Sequence, residues 1–284
     1  MEQDKLKILF FGDITGRQGR EALMSYLASL DLNNIFVIAN IENASHGFGL
    51  TKKNYNDLNN AGVNCFTSGN HIWDKKDIYE YINEASNLVR PINYPNGTPG
   101  KGSQIFNFNG FKIAVINALG RVFMPPMDSP WQIVVEEINK LKNEGIEHIF
   151  IDFHAEATAE KICFSKFLAN EFNSEEKALV KAFVGTHTHV QTADEKIING
   201  MAYITDVGFC GSADSVIGME YSTSLKRLST SLPERYEIAE KGLTQLNGVE
   251  IIIDKMRATH IKRINILVDN NDKERKEDLD SGGN

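Results

Sequence analysis

"FVIANIENAS", residues 36 to 45, begins as an apolar run suited to a strand buried on both faces and ends in Glu42 and Asn43. A carboxylate and an amide stand where a core strand should simply turn. Adjacent side chains on an extended strand face opposite ways, so both can serve one site only where the chain is already leaving the strand. The same design repeats on either side. "LKILFFGD" (6–13) leads into a helical stretch from Arg17 to Leu30, and "VNCFTSGN" (63–70) lies between helical stretches from Thr51 to Ala61 and from Lys75 to Ala85. Thr51 is the N-cap residue type expected before "KKNYNDL". This βαβ rhythm predicts an α/β fold whose parallel strands are covered by helices.

Further along, "QIFNFNGFKIAVINA" (104–118) sets Asn109-Gly110 between two strand-like runs, the signal of a tight antiparallel hairpin. The same dipeptide recurs at Asn199-Gly200 and Asn247-Gly248, each before another strand-like run, so antiparallel additions to the sheet are expected. Amphipathic stretches predict helices over Trp131 to Asn143 and Ala159 to Phe172, flanking the strand "HIFIDFHA" (148–155). The stretch from Ser222 to Gly242 has mixed charge and no clean period, and reads as an irregular lid-like excursion. The charged end, residues 269–284, lacks aromatics and reads as a disordered tail, leaving one domain over residues 1–268.

The chain has 284 residues and is 42% hydrophobic, enough for a sizeable core. A formal charge of −8 argues against a surface for nucleic-acid polymers, which bind chiefly through Lys and Arg. Cys65, Cys163 and Cys210 are far apart, so neither a disulfide framework nor a thiolate zinc site is expected; they read as reduced, mostly buried small hydrophobes. No apolar run is long enough to span a bilayer and no secretory signal is evident, which predicts a cytoplasmic protein without membrane contact.

Chemistry collects at the predicted strand ends, where open α/β sheets place their ligands. The residues are Asp13, Glu42 with Asn43, Asn70 with His71, His154, and His187 with His189. Each has a bland reading as a cap, a turn or a core histidine. Five strands all ending in oxygen or nitrogen donors, without thiolates, read together as a divalent metal cluster of the Mn, Fe, Co or Zn type. In "GTHTHVQT" (185–192) the i and i+2 histidines of an extended segment would share one face, with Thr188 pointing away. His148 and His260 read as surface or packing residues, and His46 as a loop residue near the candidate site. "GDITGRQG" (12–19) is neither GxGxxG nor a Walker loop, and no GxSxG elbow occurs.

In their order, "FGD", "NIENA", "GNHIWD", "DFHAEAT" and "GTHTHV" resemble the motifs of the calcineurin-like metallophosphoesterases. Two features depart from the general pattern: Thr15 stands where that family has a histidine, and Glu42-Asn43 replaces its second aspartate. With "AEATAEK" and "ITDVGFCG", these resemble a bacterial, YmdB-related subfamily acting on 2′,3′-cyclic nucleotides. The resemblance implies a four-layer α/β/β/α sandwich of two mixed sheets. It implies two divalent metals, Fe or Mn foremost with Zn, Co or Mg as alternatives. Asp13 and His189 would bind one, with Asn43 beside them; Asn70, His154 and His187 would bind the other; Glu42 would bridge.

The implied reaction is phosphodiester hydrolysis, with attack by a hydroxide shared between the metals and with His71, not a ligand, as general acid. The expected partner is a small phosphodiester or cyclic nucleotide, with a homo-oligomer left open. A phosphomonoesterase of the same fold, or a metal-bound cyclic-nucleotide sensor without turnover, is the alternative.

Overall fold

The computed structural model describes residues 5 to 269. Along the chain run β1 (Lys5–Phe11), β2 (Asp13–Ile14), α1 (Gly16–Ala28), β3 (Ile35–Asn40), α2 (Lys52–Asn60), β4 (Cys65–Thr67), α3 (Ile78–Tyr81), β5 (Ser103–Phe108), β6 (Phe111–Leu119) and α4 (Pro130–Asn143). There follow β7 (His148–His154), α5 (Thr158–Phe172), β8 (Val180–Thr186), β9 (Lys196–Ile198), β10 (Met201–Ile204), β11 (Phe209–Ser212), α6 (Tyr221–Thr230), β12 (Thr244–Asp254) and β13 (Ala258–Val268).

Strand alternation sorts the apolar runs into layers. In β1, Ile8 and Phe10 point into one cluster while Leu9 and Phe11 point into another, which is why residues 8 to 11 are apolar on both faces, Lys5 and Lys7 standing before them. The first cluster lies between the two sheets, where Phe10 stacks on Phe150 of β7 with ring centroids 5.5 Å apart. The second packs the outer face of the first sheet on Leu23 and Leu27 of α1 and Leu58 of α2. A third packs the outer face of the second sheet on Val134 and Ile138 of α4 and Phe164 and Leu168 of α5. The result is the α/β/β/α sandwich.

The seven-stranded sheet has the order β2-β11-β12-β1-β3-β4, with β13 added on β12; the six-stranded sheet runs β5-β6-β7-β8-β10-β9. β1, β3 and β4 are parallel, as are β6, β7, β8 and β10, so the C-terminal ends of both parallel sets carry the polar strand-end residues. Both sheets are mixed, because β12, β5 and β9 join antiparallel. Among the described residues no helix is long and apolar enough to cross a membrane.

The hairpin signals divide. Asn109-Gly110 and Asn199-Gly200 form two-residue turns with positive φ at both positions, 47° and 82° in the first and 46° and 74° in the second, as tight hairpins require. Asn247-Gly248 instead lies inside β12. There Gly248 serves close packing, since a Cβ on it would stand 2.4 Å from the Phe10 carbonyl oxygen.

The helix expected over Lys75 to Ala85 contracts to Ile78–Tyr81. Its apolar positions Ile78, Tyr81, Ile82 and Ala85 are buried as their spacing predicts, but the entering turn is tightened by i→i−3 bonds from the amides of Ile78, Tyr79 and Glu80. The Asp77 carboxylate meanwhile accepts a bond from the Lys52 amide at the start of α2. Thr51 caps α2, its hydroxyl accepting from the Asn54 amide. The excursion over 222–242 opens with most of α6 before becoming irregular. Cys65 and Cys210 are buried and Cys163 is exposed. The charged tail lies, from residue 270 on, outside the described residues.

His148 opens β7 and is buried, its ring edge-on to Phe111 at 5.1 Å. Burial, reinforced by the Lys181 charge, lowers its pKa from 6.5 to about 4. Between those values the unfolded chain binds a proton that the folded chain refuses, so stability falls as pH drops from 6.5 toward 4 and the loss is constant below. At about 1.4 kcal/mol per pH unit, the loss through this residue is roughly 3 kcal/mol. His148→Phe should therefore flatten the pH dependence of the urea midpoint between pH 7 and pH 4.5. Identical slopes in the two proteins would exclude this role.

Candidate metal centre

The polar strand ends of both sheets meet at one point. β3 ends at Asn40, and residues 42–47 form turns, so Glu42 and Asn43 have left the strand and both reach the cluster. Asp13 enters from β2, the Asn70-His71 pair from the turn beyond β4, His154 from the end of β7, and His187 and His189 from the turn after β8. Asp13, Glu42, Asn43, His154 and His189 are all buried.

Two groups of donors emerge, Glu42 with His154 and His187, and Asp13 with Glu42 and His189; within each, all donor atoms lie within 4.8 Å of one another. Glu42 belongs to both. Its Oε1 is 3.0 Å from His154 Nε2, and His187 Nδ1 is 3.1 Å from the same nitrogen. Across the centre, His189 Nε2 lies 3.2 Å from Asp13 Oδ2 and 2.9 Å from Asn43 Nδ2.

The i, i+2 reading of the histidine pair needs correction. His187 and His189 have φ of 103° and 63°, so the segment is not extended and the two rings point to different groups. Thr188 does turn away, its hydroxyl and amide both donating to Asp206 Oδ2, at 2.7 and 3.0 Å. The same carboxylate pairs with Lys161 at 2.8 Å, and Lys161 also donates to the Thr186 carbonyl at 2.9 Å. This buried ion pair holds the backbone that carries both histidines.

Ring orientation is fixed from behind. The Thr186 hydroxyl donates to Asp152 Oδ1 at 2.7 Å, so its oxygen accepts from His154 Nδ1 at 2.8 Å. His154 Nε2 faces Glu42, to which it donates when protonated and beside which it would offer a lone pair to a cation. Asn40 Nδ2 holds the other Asp152 oxygen at 2.9 Å. His189 Nδ1 donates to the Ile217 carbonyl at 2.8 Å, which likewise frees Nε2. Such carboxylate and carbonyl partners behind imidazoles are the usual support of metal-binding histidines.

Three further atoms point the same way: Asp13 Oδ1, Asn43 Oδ1 and Asn70 Oδ1 are buried without a hydrogen-bond partner. An unsatisfied buried acceptor costs roughly 1–3 kcal/mol, and three at one point fit a site built for cations. Asn43 turns its amide nitrogen toward Glu42 and His189, and a half-turn about its last torsion presents Oδ1 instead. Gly69 completes the wall, since a Cβ there would lie 2.1 Å from Glu42 Oε2 and 2.4 Å from His154 Nε2.

The electrostatics show what the carboxylates demand. Burial pushes the Glu42 carboxyl up, but the His154 charge overrides it and holds the group well below the usual range. Burial lowers His154, yet Glu42 raises it further, to about 9. His187, partly buried and beside that cation, is pushed down to about 3 by desolvation and the His154 charge. Burial also opposes protonation of His189, and its bond to Asp13 raises it nonetheless. Positive charge is required at this point, and a divalent ion supplies it more fully than a proton.

His71 stands outside the donor groups. Its amide donates to Glu42 Oε2 at 3.2 Å, its Nδ1 lies 2.9 Å from Asp74 Oδ2, and its ring meets Phe48 edge-on at 4.8 Å. His46 is exposed on its loop, and His260 is exposed on β13. Sequence reading missed Asn40, Asp152, Lys161, Thr186 and Asp206. Asp152 left a spacing signal, since its i−2 position from His154 on one strand puts both on the same face. Asn40, Lys161 and Asp206 lie inside the stretches "FVIANIENAS", "AEATAEK" and "ITDVGFCG" without a role being assigned to them.

The comparisons with known proteins follow this geometry. The chain is 45% identical over 266 residues to the 2′,3′-cyclic-nucleotide 2′-phosphodiesterase of Bacillus subtilis strain 168, covering 93% of this chain and 97% of that one. A Mycoplasma pneumoniae crystal structure described as a novel phosphatase superposes with a TM-score of 0.85 at 35% identity, covering 95% and 96% of the two chains. The NAD nucleotidase of Haemophilus influenzae shares the fold at 15% identity, with a TM-score of 0.53 over 97% of this chain and 62% of that one. A family model described as YmdB-like protein matches residues 9–264, and with it the chain belongs to the YmdB-like family.

Proposed function

We propose that the protein is a binuclear-metal phosphodiesterase that opens 2′,3′-cyclic nucleotides to nucleoside monophosphates. The observation that carries this reading is Glu42, one buried carboxylate shared by two groups of metal-type donors. The activity named for the Bacillus subtilis relative supports the substrate class. In this reading Asp13, His189 and Asn43 hold one cation, Asn70, His154 and His187 hold the other, and Glu42 bridges. Oxygen and imidazole donors without thiolate suit Fe or Mn, and tolerate Zn, Co or Mg. Two such ions supply a Lewis-acid clamp on the phosphoryl oxygens and a water of lowered pKa.

The chain's own residues do the rest. Water adds to phosphorus in line with the ester oxygen that departs; one of its hydrogens stays on the new phosphate oxygen, and the other passes to solvent, from which His71 is reprotonated after the step. The P–O2′ bond breaks, and O2′ takes its proton from Nε2 of His71, leaving a 3′-phosphate. Asp74, bonded to His71 Nδ1, keeps that ring turned with Nε2 outward. Side-chain exposure of 31% lets His71 meet substrate while its amide stays tied to Glu42. A phosphomonoesterase of the same centre is the second reading, favoured by the phosphatase description of the Mycoplasma pneumoniae neighbour.

Protein loaded with Mn or Fe should turn over 2′,3′-cyclic nucleotides faster than 3′,5′-cyclic nucleotides, linear diesters or nucleoside monophosphates. Preference for the monoesters would shift the assignment to the second reading, and binding without any turnover would make the protein a sensor. His71→Ala should lower kcat about 10²- to 10⁴-fold with metal content unchanged. Full activity in that variant removes His71 as the acid. Glu42→Gln should lower occupancy of both metal positions, read by elemental analysis, whereas loss of one equivalent alone means that Glu42 does not bridge.

A further inference from the structure

One cavity shares a wall with the metal centre. It holds about 260 Å³ and is lined by His189, with Phe209 and the carboxamides of Gln191, Gln245, Asn247 and Asn265 among its other walls. Two larger cavities are lined by charged side chains, Lys101, Glu137, Lys140 and Glu144 in one and Arg121 and Glu160 in the other, and neither touches a donor of the centre. The small cavity has no carboxylate, ammonium or guanidinium in its wall. Its size falls just short of the roughly 300 Å³ at which pockets for drug-sized ligands begin, and suits one heterocycle.

The placement of the amides is unusual for their strand. Val249, Ile251 and Ile253 of β12 face the core between the sheets. Continuing the alternation toward the centre, the same face carries Asn247 and then Gln245, with Asn265 of β13 directly opposite Asn247. The apolar face becomes a carboxamide face where it reaches His189. Asn247 is only 3% exposed, and its Oδ1 accepts from Gln245 Nε2 at 3.0 Å. Among the described residues its Nδ2 has no acceptor, and it lies in the cavity wall. The two N–H groups of Gln191 are shared among the Val207, Gly248 and Ile264 carbonyls, while its Oε1 is buried without a partner. Phe209 stacks on the His189 ring at 5.2 Å and 17°, and both rings line the cavity.

We propose that this cavity is the nucleobase subsite of the phosphodiesterase, with Gln245, Asn247 and Asn265 reading the hydrogen-bonding edge of the base. This rests on the cyclic-nucleotide reading above. Carboxamides present donors and acceptors side by side without charge, the complement of a base edge. A neutral lining disfavours the phosphate, which keeps the base here and the phosphoryl group at the centre. Val190 and Ile217, both about half exposed, flank the mouth and cover the apolar faces of the ring.

The test uses Gln245→Ala and Asn247→Leu in metal-loaded protein, with thermal melts to exclude misfolding of the buried variant. The ratio of kcat/KM for 2′,3′-cyclic AMP to that for bis(p-nitrophenyl) phosphate, a diester without a base, should fall about tenfold or more in both variants. Calorimetry should show adenosine 3′-monophosphate binding weakened by a similar factor relative to inorganic phosphate. Equal losses for the two diesters overturn the subsite, as does a wild-type protein that binds adenosine 3′-monophosphate no more tightly than phosphate. Wild-type protein that cleaves only the base-free diester overturns the cyclic-nucleotide reading instead, and the calorimetric comparison still decides the cavity.

Discussion

Asp13 and Glu42 are two carboxylates buried within one cluster, and the rest of the centre answers that constraint. Burying one carboxylate without compensation is costly, and two together are tolerated only where positive charge and hydrogen bonds are supplied. The fold brings imidazoles from the opposite sheet to face them. Because Asp13 and Glu42 sit on the first sheet and His154, His187 and His189 on the second, the centre stitches the sandwich across its polar end. At the other end the two sheets are tied by buried Lys181 of β8, whose ammonium donates to the Lys255 and Met256 carbonyls in the turn between β12 and β13.

The precision of the centre is borrowed from groups that cannot touch a substrate. Asp152 and Thr186 set His154, the Ile217 carbonyl sets His189, and the Lys161–Asp206 pair sets the backbone between His187 and His189. Those two histidines adopt positive φ, a conformation that costs energy for residues other than glycine. Lys161 and Asp206 therefore bear a tension in the backbone as well as their own desolvation. Their hydrogen bonds to Thr186, Thr188 and Gly208 offset that cost.

Local signals in the chain made much of this readable, and the limits are equally physical. Strand-end donors stand out because a polar residue breaks an apolar run, as at Glu42 and His154. Asn109-Gly110 announced a hairpin because its conformational demand is local. Asn247-Gly248 carries the same letters for a different reason, a close approach of two strands, and nothing within a few residues distinguishes the two cases. Lys161 looks like any helix lysine until the packing of α5 against β8 makes it a buried one, and Asp206 looks like a turn residue until Lys161 and Thr188 reach it. Supporting residues act across the fold, so their own neighbourhood does not disclose their partners.

Gly69 contributes no donor, yet its missing side chain is part of the container. Any Cβ at that position would occupy the space between Glu42 and His154. The cluster's dimensions are thus set partly by backbone, which does not shift to suit a larger or smaller ion as a flexible side chain does. In the proposed two-metal reading, selectivity among cations of similar chemistry would therefore have a mechanical component: the wall at residue 69 would act as a fixed gauge against which the softer donors adjust.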